Sequence, residues 1–270
     1  MRKIDNLSLA NMPKFKLAAE LKGLYAIWYR ELLVFMREPS RLVGAIIQPL
    51  LWLVIFGTGL GSIIEPGAVS GANYQQFLFP GILVMTVLFG SLFFGLYIIL
   101  DKRIDFLKEV LVAPLNKSTM FFGKALGGST DGLLQIIILM ILGAIFFGVH
   151  FNLLSIVLTL VIVTLLLIAV TSLGLAIGSV MESPEGFGLI SSFVIFPLFF
   201  LSGALFPITK LPIWLKTIVA INPVSYSVDA LRLVILGITS YGLLLDMTVL
   251  IVFTVAMITA GTWAFKRIKL

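Results

Sequence analysis

The chain has 270 residues, 60% of them hydrophobic and 12% charged, with a formal net charge of +6 and no cysteine. Soluble domains run at about 45–50% apolar and about 25% charged, so composition excludes an ordinary soluble domain and indicates an integral membrane protein. Disulfide and thiolate chemistry are excluded as well, and the basic charge calls for no nucleic acid, because juxtamembrane Lys and Arg facing anionic lipid account for it.

Residues 1–16 are too polar for a secretory signal peptide, so membrane retention is expected to rest on the spans themselves. Next, Leu17, Leu21, Leu24, Tyr25, Trp28, Leu32 and Phe35 recur at helical spacing, with Arg30, Glu31, Arg37 and Glu38 among them. This pattern predicts an amphipathic helix lying in the membrane interface within residues 1–41, with Tyr25, Trp28 and Tyr29 at headgroup level. Crossing the hydrocarbon core takes about 20 apolar residues. Uncharged runs of that size predict an all-α membrane domain of six transmembrane helices at 42–62, 77–100, 132–149, 153–181, 187–206 and 243–265.

Residues 101–124 stand out, because this segment between the second and third spans carries five Lys or Arg in an otherwise greasy chain. A charge at mid-bilayer costs at least about 2.5–3.5 kcal/mol, which predicts that the segment lies in water or at the headgroups. Within it Phe106, Leu107, Val110 and Leu111 recur at helical spacing, Asp105, Lys108 and Glu109 intervene, and Pro114 ends the pattern. A short amphipathic helix follows, offering a hydrophobic ridge to a partner or floating in the interface. Residues 207–242, broken by Pro207, Pro212 and Pro223, predict short helices dipping partway into the bilayer. In that segment Tyr226, Asp229 and Arg232 share a helix face, so a structural Asp229–Arg232 ion pair is expected.

With the amino terminus in the cytoplasm, sixteen of the nineteen Lys and Arg fall on the cytoplasmic side, together with both termini and residues 101–124. Catalytic motifs are missing. There is no G-x-x-x-x-G-K-[ST] loop for ATP, one histidine (His150) at a tight turn, no H-E-x-x-H and no G-x-S-x-G. No catalytic residue, metal site or cofactor is expected on the chain. The spans hold neutral polar residues, Gln48, Thr58, Thr86, Gln135, Thr159, Thr164, Thr171, Ser191, Ser192 and Thr254, which either line a pathway or bond between helices. Phenylalanine clusters at Phe89, Phe93 and Phe94, Phe146 and Phe147, and Phe196, Phe199 and Phe200 suit an amphipathic or lipid-like substrate, or simply face lipid.

The run DFLKEVLVAP from Asp105 to Pro114, followed by Gly123-Lys124 and Gly127-Gly128, resembles the cytoplasmic loop of type 2 ABC transporter permeases. So do Ser183, Pro184, Glu185, Gly186 and Phe187 (SPEGF), the stretch from Leu201 to Arg232 that contains Asn222 and Pro223, the Arg37-Glu38-Pro39 step, and Gln48-Pro49. The likeness covers nearly the whole chain, is nearest to drug-resistance and nodulation-factor exporters, and is more distant to polysaccharide exporters. It implies a homodimer of six-span permeases in the cell (inner or plasma) membrane, paired with two separate ATPase subunits that carry ATP and Mg. It further implies that residues from Asp105 through Ala113 form a coupling helix in an ATPase groove, with Phe106 and Leu107 as apolar plugs and Lys108 and Glu109 as rim contacts. SPEGF would be a second cytoplasmic contact, the helix before span one an interface helix, and residues 207–236 a re-entrant pair at the exit. Relatives commonly carry glycine where this chain has Asp105, a residue that also suits an N-cap. The rival expectations are an ion-independent channel or carrier and an intramembrane lipid-modifying enzyme.

Overall fold

An apolar chain segment away from water must satisfy its own backbone N–H and C=O groups, and the long apolar runs here do so as α-helices. The computed structural model describes residues 12–63, 73–104, 115–208 and 211–268, and among these there is no strand. In chain order the helices are α1 (Met12–Arg37), α2 (Pro39–Gly59), α3 (Tyr74–Phe93), α4 (Leu96–Arg103), α5 (Lys117–Phe147), α6 (Leu153–Val180), α7 (Pro184–Phe200), α8 (Ile213–Ile221), α9 (Pro223–Leu236) and α10 (Leu243–Lys266). Among the described residues, five stretches are long and apolar enough to cross a membrane: α2, α3 continued by α4, α5, α6 and α10. Helix α7 is apolar but has only 17 residues, and α8 and α9 form a pair bent by 92°.

Helix α3 is the core element. Leu78, Phe79, Ile82, Leu83, Val84, Met85, Val87 and Leu88 point all round it and are all buried, as expected of a helix apolar on every face. It packs on α2, α5, α6, α7 and α9, while α6 also lies along α10 and α5 along α1. At Phe94 and Gly95 the helix tightens: Gly95 N–H bonds Leu92 O and Ile98 N–H bonds Gly95 O, both three residues back. The backbone there touches α6 directly, since a Cβ at Gly95 would collide with Gly174 and one at Gly178 with Gly95, contacts that glycine alone permits.

The helix ends depart from the expected spans where charge or proline misleads a hydropathy reading. Helix α5 begins at Lys117 rather than near 132, because Lys124 and Asp131, which end the uncharged run, are buried inside the protein. Its glycines do not mark a loop: a Cβ at Gly123 would press on Ile27, at Gly127 on Glu31 and at Gly128 on Phe94. Helix α7 starts at Pro184, capped by Ser183, and stops at Phe200, with Pro197 in its last turn.

Candidate functional site

The termini of α4 and α5 that flank residues 105–114 meet α1 at the basic end of the bundle. There four charges close a ring. Arg30 donates to Glu31 at 2.8 Å and to Asp101 at 3.3 Å, and Lys124 donates to Glu31 at 3.0 Å and to Asp101 at 2.5 Å. Lys124 is 1% exposed, Glu31 3% and Asp101 5%, so three of the four are taken out of water. Such charges are stable only when each is paired and hydrogen-bonded, and here two cations alternate with two anions. Segment 101–124 is therefore not uniformly solvated as its composition predicts: Asp101 and Lys124 are interior residues, and they tie both sides of 105–114 to one helix.

Further ties surround this ring. Glu20 on α1 accepts from the Asn116 backbone N–H and side-chain amide at 2.7–3.2 Å, holding the start of α5. Lys102 donates to the carbonyls of Gly178, Ser179 and Met181 at 2.9–3.3 Å, satisfying the last turn of α6 where the helix dipole favours a cation. Lys117 does the same for α10 through Lys266 and Ile268. Basic residues expected to face lipid thus serve in part as ties between helices.

Asp105, Phe106, Leu107, Lys108, Glu109, Val110, Leu111 and Pro114 lie outside the described residues. Trp28 is half-buried and donates to Thr130 on α5 at 3.0 Å, so it does not stand free at headgroup level. Arg37 is exposed, and Glu38 accepts from the Tyr97 hydroxyl at 3.4 Å. On α1, Leu17, Leu21 and Tyr25 form an uncovered apolar strip, while the side toward α5 carries Ile27 and Glu31. Ser183, Pro184 and Glu185 start α7: the Ser183 hydroxyl accepts from Gly186 N–H at 3.1 Å, Pro184 occupies the first turn, and Glu185 meets the positive end of the dipole. Phe187 is buried edge-on against Phe93.

At the opposite end of the bundle, α9 with its cap and the start of α3 hold the last turn of α7 and the irregular backbone that follows it. Asn222 donates to Leu198 O at 2.8 Å, Ser225 to Leu201 O at 3.4 Å, Arg232 to Gly203 O and Ala204 O at 3.0 Å each, and Tyr74 to Leu205 O at 2.9 Å. Arg232 also lies 3.7 Å over the Phe77 ring. Asp229 accepts from Thr239, Ser240 and Tyr241 at 2.8–2.9 Å. The expected Asp229–Arg232 ion pair does not form, because each residue is spent on loop backbone instead. Tyr226 bonds Ala220 O at 2.7 Å and packs on Tyr241, while Asn222 caps α9 ahead of Pro223.

The sequence matches the ABC-2 type transporter family over residues 22–236, from within α1 to the end of α9. The chain belongs to the ABC-2 type transporter family. Among its relatives are ycf38 of Cyanophora paradoxa, named as a transport permease, at 32% identity over 85% of this chain and 81% of that protein. The inner membrane transport permease YadH of Escherichia coli K12 is 32% identical over 87% of this chain and 91% of its own length. Nodulation protein J of Rhizobium leguminosarum bv. viciae is 25% identical over 90% and 93%. Membership in the ABC-2 family, together with the apolar helices, makes this chain a multi-pass transport permease.

For an ABC-2 permease, sequence reading overlooked Glu20, Lys102, Asp101 and Lys124 as structural ties. The last three were visible as charges in a polar segment, and Lys124 also as part of the Gly123-Lys124 step of the family resemblance. What could have singled out Lys124 is its setting on α5 between Gly123 and Gly127, which leaves one helix face bare for α1.

Proposed function

We propose that the chain is the membrane half of an ATP-driven exporter, in which two copies form the path and two separate ATPase subunits, holding ATP and Mg, drive it. The supporting observation is the charge ring: it gives residues 105–114 a stem whose two sides, Asp101 and Lys124, are locked to each other and to α1. An ATPase pressing on Phe106 and Leu107 would move α1, α4 and α5 together, biasing a two-state pore through the partner's nucleotide state.

In this reading the basic end faces the cytoplasm with both termini, and the uncovered strip of Leu17, Leu21 and Tyr25 lies in the headgroups as an interface helix. Helices α8 and α9 form the outer re-entrant pair, and side-chain cover for the 198–205 carbonyls is what irregular backbone at membrane depth requires. Two copies would meet through apolar faces such as those of α2 (Ile47, Leu51, Ile55) and α7 (Leu189, Phe193), which are left bare within one chain. The substrate is amphipathic or lipid-like, a drug, lipid or glycolipid, leaving the cytoplasm or inner leaflet.

The test is co-purification with the ATPase encoded beside this chain. Wild type should bring down a stoichiometric complex, and the Phe106→Ala/Leu107→Ala variant should insert normally and lose it. No complex with any ATPase would overturn the proposal.

A further inference from the structure

A cavity of about 340 Å³ lies among α2, α3, α4 and α5, lined by Gln48, Thr86, Phe89, Phe93, Tyr97 and Gln135, among others. Among the described residues, no carboxylate, Lys, Arg or His lines it. Gln135 is 3% exposed, and its Oε1 has no hydrogen-bond partner in the protein. A buried acceptor left unmet costs about 1–3 kcal/mol, and the same amide carries two N–H donors, so it suits a ligand group such as a hydroxyl that donates to Oε1 and can also accept.

Two more acceptors share the lining. The Thr86 hydroxyl spends its hydrogen on Ile82 O at 2.9 Å, which leaves oxygen lone pairs free to accept. Pro49 lies inside α2 without an N–H, so the Ala45 carbonyl, one turn earlier and also on the lining, lacks its ordinary helical donor. Gly90 keeps the space open beside Gln135: a Cβ there would stand 3.4 Å from Oε1. Around these acceptors Phe89, Phe93 and Met85 supply apolar wall, and exposed Gln48 links the cavity to the outer face of α2.

Acceptors without a carboxylate select a neutral donor, because a buried ammonium with no counter-charge pays a large desolvation cost. The volume is at the small end of ligand sites, about 300–1,000 Å³, and suits the polar neck and first carbons of a chain rather than a whole lipid. We propose that this cavity binds an amphiphile through a neutral hydroxyl or amide N–H placed next to its apolar chain. As a transport subsite it rests on the function proposed above; as a binding site it stands apart from that reading.

The experiment uses the purified full chain in lipid and two photoreactive probes with the same diazirine-bearing acyl chain, one a monoacylglycerol and the other its methyl ester, which has no hydroxyl. The glycerol probe should label peptides containing Gln48 and residues 85–97 several-fold more than the ester. Gln135→Leu should bring that ratio to about one while leaving ester labelling unchanged, and Gly90→Leu, which fills the space, should lower labelling by both probes. Equal labelling by the two probes in the wild type overturns the proposal without recourse to any variant, and so does a ratio that Gln135→Leu leaves intact. Adding the ATPase subunit and ATP separates the sources of such a ligand: release of bound glycerol probe supports a transported substrate, and retention supports a resident lipid. Labelling is read without the ATPase, so failure to find an ATPase partner and failure of this site are separate results.

Discussion

The two ends of the bundle both bury charge, and they do so in opposite ways. At the basic end, Arg30, Glu31, Asp101 and Lys124 come from three helices and satisfy one another. At the other end, Asp229 and Arg232 sit on one helix three residues apart and share no hydrogen bond or ion pair, each bonding backbone of a neighbouring turn. Charges paired across helices make separate elements move as one body. Charges spent on backbone fix the shape of a local loop. The first arrangement fits a region that receives a push, and the second a cap that must hold irregular chain.

The largest effect expected from breaking this contrast is at Lys124. Lys124→Met leaves Glu31 and Asp101 buried with only Arg30 between them, and should cost about 3–5 kcal/mol, seen as a large drop in resistance to denaturant in detergent. Adding Glu31→Leu leaves one balanced Arg30–Asp101 pair, so the double variant should be more stable than Lys124→Met alone. A double variant less stable than the single would mean that the ring does not act as a unit. Arg232→Leu should cost about 1–3 kcal/mol by stranding the Gly203 and Ala204 carbonyls, and protease cleavage in 201–208 should rise with it. Asp229→Asn keeps one acceptor for the 239–241 turn and should cost about 1 kcal/mol in the same unfolding assay. The smallest effect is at Arg30, which is one-third exposed: Arg30→Gln should cost at most about 1 kcal/mol. That loss should shrink in 1 M salt, where the screening length is about 3 Å, whereas the Lys124→Met loss should not.

Much of the helical order was legible, because mean apolarity over a window of about 20 residues marks helices that must bury or meet lipid. Helix α6 shows this plainly, with an observed Leu153–Val180 against an expected 153–181. The basic end was not legible, for a physical reason. Hydropathy prices Lys124 and Asp131 as if each stood alone, and cannot see that a partner 93 residues earlier in the chain, Glu31, neutralises Lys124. Helix periodicity on α1 found Arg30 and Glu31 but assigned them to the surface, since the spacing shows which residues share a face and not what covers it. At the other end, spacing brought Asp229 and Arg232 together correctly, yet pairing was the wrong inference, because nearby orphan backbone groups compete for both side chains.

In the function proposed above, the ring carries force from the ATPase to the spans. The most direct test is ATP hydrolysis by the permease–ATPase complex in lipid, compared with the ATPase alone, for wild type, Arg30→Gln and Lys124→Met at matched stoichiometry. Wild type and Arg30→Gln should change the hydrolysis rate alike, and Lys124→Met should bind the ATPase and leave its rate near that of the free subunit. A Lys124→Met permease that alters hydrolysis as fully as wild type would mean that the ring does not carry the coupling.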